Sequence, residues 1–317
     1  MKILVGYDGS ESADAALDDL RRAGLPQEAE SLIVSVGEVS MIPPPSNYEV
    51  VGQVLTSRKV TAAIAQAESQ LAQALIQAKE IAAKAGERVR SCFPNWQVRA
   101  EGLAGWPSKE LINRADEWKA DLMVVGSQGR SALGRWLLGS VSKKVATDSQ
   151  HSVRVARGAV GRDFSAPLRV MIGMDGSCEA ELAVRAVGNR LWPEGTEVRI
   201  IFVDDGTSPT RIADIFPAAD ELIRGCNEES VVAARIRMQW AKAELSAIGL
   251  NVSVAIEKGD PRHVLVEQAR KWNVDSIFVG GQRLSGTLER FRLGSVATAL
   301  ITKAHCSVEL ARNPTSQ

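Results

Sequence analysis

The sequence predicts an α/β protein built from two tandem doubly wound domains, each a five-stranded parallel sheet with helices on both faces. Three observations predict it. First, the chain repeats itself: residues 3–10, ILVGYDGS, recur as residues 170–177, VMIGMDGS, at an offset of 167 residues. Second, the runs ILVGY, DLMVVG and SIFVG are almost wholly apolar, as parallel strands buried on both faces are. Third, such runs alternate with helical spacing, and that alternation builds a parallel sheet through right-handed crossovers.

Taken in order, each copy opens as an apolar run, ends at Gly-x-Asp-Gly-Ser and gives way to helical spacing, as in Ala13, Ala16, Leu17 and Leu20. Ser10 and Ser177 fall where an N-cap hydroxyl accepts from the first free amides of a helix. Leu32 to Val36 and Val98 to Ala100 are the next strands, answered by Val198 to Val203 and Val252 to Ile256. Pro43-Pro44-Pro45 marks an irregular loop, and residues 56–92 read as a long helix whose stripe of Ala67, Leu71, Ala74, Leu75 and Ala78 is expected to pack in the core. A second recurrence pairs ADLMVVGSQGRSALGRWLLGS at 120–140 with VDSIFVGGQRLSGTLERFRLGS at 274–295. A third pairs HSVRVAR at 151–157 with HCSVELAR at 305–312, a short last strand closing on arginine. Residues 158–168, with two glycines, a proline and no periodicity, read as the linker, which sets domains at 1–160 and 165–313.

Composition narrows the function. At 317 residues the chain accommodates two domains of about 150 residues. With 38 Lys and Arg against 38 Asp and Glu there is no net positive field to attract a nucleic acid. The apolar start at Met1 is too short for a signal peptide and no run approaches a membrane span, so the expected location is cytoplasmic. Cys92, Cys178, Cys226 and Cys306 lack CxxC spacing and His151, His263 and His305 are scattered, so neither a disulfide framework nor a metal centre is expected. Trp106, Trp118, Trp136, Trp192 and Trp240 read as packing residues at helix ends.

The chemistry is expected at the loop Gly126-Ser127-Gln128-Gly129, followed after nine residues by Gly139-Ser140, which opens a helix. Glycines let backbone amides approach an anion, and a helix N-terminus offers free N–H groups and partial positive charge to phosphate. Asp8 and this loop both sit at carboxyl ends of strands, where open parallel sheets bind ligands. Asp8 could brace its turn, accept from a ribose or base edge, or hold magnesium, although it is a single carboxylate without an obvious mate. Arg130, Arg135, Arg290 and Arg292 could assist phosphates or be solvated helix charges.

The pattern G-x2-G-x9-G-S after the fourth strand, with Asp ending the first strand and an H-x-S-V type closing strand, resembles the universal stress protein family, nearly twice over the whole chain. The resemblance implies an adenine nucleotide alpha hydrolase-like, Rossmann-like fold and ATP, or ADP or AMP, as ligand, with Mg2+ as an option. It places Gly6, Tyr7 and Asp8 at adenine and ribose and Val36 at the base. Val125, Gly126 and Gly129 would flank the ribose and first phosphates, and Gly139, Ser140 and Val141 the distal phosphates. It also implies pairing through the last strand, which a tandem chain satisfies internally as a pseudo-dimer, with a homodimer still open.

The second half departs from the pattern: Gly280-Gly281-Gln282-Arg283 has arginine at the second glycine position, and ten residues precede Gly294-Ser295. A weaker or vacant second site is therefore expected around Asp175, Val203, Gly280, Gly294, Ser295 and Val296. Neither GxxxxGK[ST] nor GxGxxG is present, and no catalytic base, nucleophile or metal set stands beside the loop. The expected function is a nucleotide-sensing stress-response protein rather than an efficient enzyme. The alternatives are a slow ATPase or phosphotransferase, and a ligand-free interaction module.

Overall fold

The computed structural model describes residues 1–38, 58–129, 138–158, 167–175, 177–205, 220–281 and 293–313. The Pro43–Pro45 loop, the centre of the linker, Arg130, Arg135, Trp136, Gln282, Arg283, Arg290 and Arg292 lie outside the described residues. The first half runs β1 (Lys2–Gly6), α1 (Glu11–Leu20), β2 (Glu30–Glu38), α2 (Arg58–Cys92), β3 (Gln97–Gly105), α3 (Pro107–Trp118), β4 (Leu122–Gly126), α4 (Ser140–Asp148) and β5 (Ser152–Ala156). The second runs β6 (Arg169–Met174), α5 (Cys178–Gly188), β7 (Glu197–Asp204), α6 (Asp220–Ala247), β8 (Asn251–Lys258), α7 (Pro261–Lys271), β9 (Ser276–Gly280), α8 (Ser295–Lys303) and β10 (Ser307–Ala311).

Local chemistry sets the element boundaries. Ser10 Oγ accepts from Ala13 N at 3.2 Å and Ser177 Oγ from Ala180 N at 3.2 Å, so both expected caps are made. Gly9 turns the chain between β1 and α1 at φ +80°, a conformation glycine adopts without a Cβ clash. Pro107 and Pro261 open α3 and α7 at the position where the missing N–H costs nothing. The strands β1, β4 and β9 are buried along their central residues, as their apolar runs require.

The ten strands form one sheet in the order β3-β2-β1-β4-β5-β10-β9-β6-β7-β8. Within each half all pairings are parallel, and the halves join where β5 pairs antiparallel with β10, with Glu309 opposite Arg154. This is the internal pairing of last strands that the family resemblance implied. The strand alternation gives the seam two unlike faces. On one, Val153, Val155, Val308 and Leu310 sit in a single core that runs through both halves. On the other, separate cores of the two halves flank a buried ion network. There Arg154, fully buried, donates to Asp19 at 2.6 and 3.1 Å, to Glu309 at 3.4 Å and to Ser276 at 2.8 Å. Arg190 donates to Glu309 and to Ala23 O, and Ser307 to Asp19 at 2.6 Å. Two guanidinium groups and two carboxylates thus neutralise one another out of water, the condition under which buried charge is tolerated.

Two expectations are corrected. In α2 only Ala78 of the expected stripe is buried, Ala67 is exposed and Leu71 is 44% exposed; the buried stripe is Ala78, Ala82, Ala85, Gly86 and Val89. The reason is geometric. A Cβ on Gly102 would meet Lys79 N at 2.3 Å and one on Gly37 would meet Ala74 O at 2.5 Å, so α2 lies against the sheet there. Gly37 stands next to the end of β2, and the residues before Ala74 project past it. Trp106 is the second correction: at the N-cap of α3 it is 59% exposed, whereas Trp118 is buried and Trp192 and Trp240 are partly buried against the second-half core.

Candidate functional site

The strand order of the first half reverses between β1 and β4, and that switch point is where an open parallel sheet leaves a crevice beyond its carboxyl ends. A cavity of about 400 Å³ opens there, and Gly6, Tyr7, Asp8, Val36, Val125, Gly126, Gly129, Gly139, Ser140 and Val141 all line it. All ten residues singled out in the first half are therefore brought together. The cavity falls within the roughly 300–1,000 Å³ range of small-molecule sites. Its inner wall also takes Val34, Ser35, Gly37 and Glu38 from β2, Ala74, Gln77, Ala78 and Ile81 from α2, and Pro107 and Leu111 from α3.

Hydrogen bonds hold the glycine loop in place. Ser12, in the first turn of α1, accepts from Gln128 N at 3.0 Å and lies 3.4 Å from the Ser127 hydroxyl. Gly139 N donates to Ser127 O at 2.8 Å, and the buried Ser142 hydroxyl donates to Gly126 O at 2.6 Å. Gly126 is glycine for packing, since a Cβ there would meet Ser12 O at 2.7 Å. Gly139 differs. It takes φ −62° and ψ 148°, ordinary extended backbone, and among the described residues a Cβ there would meet nothing closer than 3.4 Å. As N-cap of α4 it supplies no side-chain bond to the first amides of the helix. An uncapped helix N-terminus thus faces the cavity behind a residue without a side chain.

Across the crevice, Asp8 Oδ1 accepts from Ser10 N at 3.0 Å, and a Cβ on Gly129 would come within 3.2 Å of Asp8 Oδ2. The carboxylate and the loop are therefore neighbours. Tyr7 OH donates to Asp14 at 2.7 Å, and Arg88 of α2 bridges Asp14 at 2.7 Å and Asp18 at 2.6 Å. Burial, reinforced by the bond to Asp14, pushes the Tyr7 phenol up to about 12. This network ties α2 to the turn that carries Asp8. Ser12 and Ser142 escaped the sequence reading because hydroxyls inside helices carry no spacing signal. Comparison of the repeats reaches Ser12, because its counterpart 167 positions on (179 − 12) is Glu179.

The second half has a cavity of about 240 Å³ among described residues, lined by Asp175, Val203, Gly280 and Val296 of the expected set. Gly294 and Ser295 open α8 beside it without lining it. Glu179 and Asp205 also line this cavity, so with Asp175 it has three carboxylates where the first cavity has two, Asp8 and Glu38. Among the described residues, no cluster of His, Cys, Asp and Glu gathers to hold a metal, and no helix is long and apolar enough to cross a membrane.

Two pseudo-equivalent doubly wound units, each with a switch-point crevice and a glycine loop before an uncapped helix, define the class of this protein. The model of the universal stress protein family matches residues 1–157 and again 168–312, and the chain belongs to that family as a tandem two-domain member. A universal stress protein of Mycolicibacterium smegmatis is 25% identical over 313 residues, covering 98% of this chain and 96% of its own. The Bacillus subtilis universal stress protein YxiE is 32% identical over 157 residues, 49% of this chain and 98% of its own. Among solved structures, a universal stress protein from Archaeoglobus fulgidus shares the fold with a TM-score of 0.65 at 21% identity, covering 98% of both chains.

Proposed function

We propose that the first half binds an adenine nucleotide, ATP in preference, and that the chain acts as a nucleotide-sensing stress-response protein rather than an efficient enzyme. Gly139 carries the reading. Neither backbone conformation nor packing among the described residues asks for glycine there, whereas an anion approaching the α4 amides does. In this reading the α4 amides and Gly129 receive phosphates and Asp8 receives ribose hydroxyls. The apolar wall of Val36, Ala78 and Leu111 receives the base. Magnesium, if carried in with the nucleotide, would have Asp8 as its nearest carboxylate on the loop side.

The second half binds more weakly in this reading, because Glu179 adds a third carboxylate that opposes an anion, beside Asp175 and Asp205, in a smaller cavity. The test is mass spectrometry of nucleotide released from freshly purified protein, with calorimetry giving the number of ATP sites per chain. One site, lost with Gly139→Val and kept with Gly294→Val, is the expected result. No bound nucleotide and no heat would leave a tandem fold acting through protein contacts alone. Phosphate release above the protein-free rate that disappears in Ser140→Ala would convert the binder into an ATPase.

A further inference from the structure

Each half closes on an arginine, and the two arginines cross the seam. Arg312, buried at the end of β10, donates to Ser149 O at 2.8 Å and to Ala146 O, the last carbonyls of α4 in the first half. Arg157, after β5, donates to Ile301 O and, at 3.4 Å, to Thr302 O, the last carbonyls of α8 in the second. The amides are exchanged as well: Arg312 N donates to Ser152 Oγ at 3.0 Å and Arg157 N to Ser307 Oγ at 2.9 Å.

Helix α4 presents its N-terminus to the first cavity, and its far end is held by the other half. Orphan C-terminal carbonyls carry the negative end of the helix dipole, and a guanidinium there complements it. Arg312 has a second contact. It packs on the second-half loop, where a Cβ on Gly281 would come within 2.7 Å of its Cγ and Nε and Gly281 N donates to Ala311 O at 2.8 Å. At the matching place in the first half stands Ser127, whose amide makes the same bond to Ala156 O at 3.1 Å. The connection from loop to arginine to opposite helix is therefore built around glycine on one side only.

We propose that Arg312 is a positioning residue for the first cavity: the second-half loop sets Arg312, Arg312 sets the C-terminus of α4, and α4 presents its amides to phosphate. The second half thereby tunes how strongly the first holds the phosphate end of its ligand. This rests on the nucleotide reading of the first cavity.

The experiment titrates full-length wild-type, Arg312→Met, Gly281→Ala and Arg157→Met chains with ATP and, separately, with adenosine. Loss of a favourable charge at one helix end corresponds to roughly 3- to 10-fold in affinity. ATP affinity is expected to fall by about that factor in Arg312→Met and in Gly281→Ala, with adenosine affinity unchanged in both. Arg157→Met removes the equivalent cap from α8 and is expected to leave ATP affinity at the first site unchanged. A general loss of packing would lower ATP and adenosine alike, and that outcome overturns the proposal, as does an unchanged ATP affinity in Arg312→Met or an equal loss in Arg157→Met. If Arg312→Met does not fold, Gly281→Ala decides by the same criterion. A wild-type chain that binds neither ligand overturns the nucleotide reading and this inference together.

Discussion

Two glycines of the same loop are predicted to answer differently to the same methyl group. In Gly126→Ala the new Cβ falls 2.7 Å from Ser12 O and 2.9 Å from Ser12 C, backbone atoms of the first turn of α1 that have no rotamer in which to escape. Either α1 or the end of β4 must move, and forcing a methyl into a packed site costs about 1–3 kcal/mol. For a unit of this size that lowers the melting temperature by roughly 2–12 °C. In Gly139→Ala the nearest atoms are Gln128 Cα and Gly129 N at 3.4 Å, and φ −62° suits any residue. The small penalty of alanine at an N-cap and the reduced freedom of the unfolded chain offset each other, leaving about 0.5 kcal/mol or less. Thermal unfolding of the three proteins without ligand checks this half of the reasoning. Binding should then reverse the order. Gly139→Val keeps its fold but sets two methyls at the α4 amides, and loss of one charged hydrogen bond at about 1.5–3 kcal/mol corresponds to on the order of 10- to 100-fold in ATP affinity. Equal melting temperatures for the Gly126 and Gly139 alanine variants would refute the packing distinction. Undiminished ATP affinity in Gly139→Val would refute its functional consequence.

Other outcomes follow from the same geometry. Arg154→Met leaves Asp19 and Glu309 buried without their common cation and should destabilise the chain by about 3–5 kcal/mol in urea unfolding, far more than removal of an exposed pair such as Lys271–Glu267. The Tyr7 phenol holds its proton more tightly folded than unfolded, so its contribution is intact below pH 10.0 and is lost as the pH rises towards about 12. Ultraviolet titration should show a late tyrosine ionisation that Tyr7→Phe removes. Ser142→Ala strands the buried Gly126 carbonyl and should cost about 1–3 kcal/mol of stability, read by the same urea titration. In a chain whose first site is blocked by Gly139→Val, Glu179→Ser should strengthen calorimetrically measured ATP binding to the second half, since it replaces a carboxylate by the residue type the first half uses.

The parallel strands were legible because burial on both faces leaves them no freedom in composition: ILVGY and DLMVVG admit hardly any other reading. The pairing of the halves was legible only through the family resemblance, which implied pairing by the last strand. Its energetics were not, since Arg154 and Glu309 alternate with valine and leucine as residues of a solvated face would, and only the antiparallel register sets them against each other and against Asp19 and Arg190. Periodicity likewise could not say how much of α2 is covered. An alanine-rich helix has a small-residue stripe along its whole length, and which part is buried depends on where β2 ends and on close approach at Gly37 and Gly102. At the cavity the glycines announced themselves, but the residues that hold them, Ser12 and Ser142, did not. A hydroxyl acting on a loop 116 positions away has no local signature.

That difference bears on why the halves diverge where they do. The features the fold needs are kept in both: the Ser10 and Ser177 caps, the close packing of Gly126 on Ser12 and of Gly280 on Glu179, and the crossed arginines. Among what changes, Ser12 becomes Glu179, which lines the second cavity, and the loop, by sequence, exchanges its second glycine for Arg283. Packing holds Gly280 against Glu179 and makes no such demand three positions on, where Arg283 stands in the sequence. Relaxed demand for phosphate at the second cavity, with the second half retained to brace α4 through Arg312, accounts for both the conserved frame and these changes.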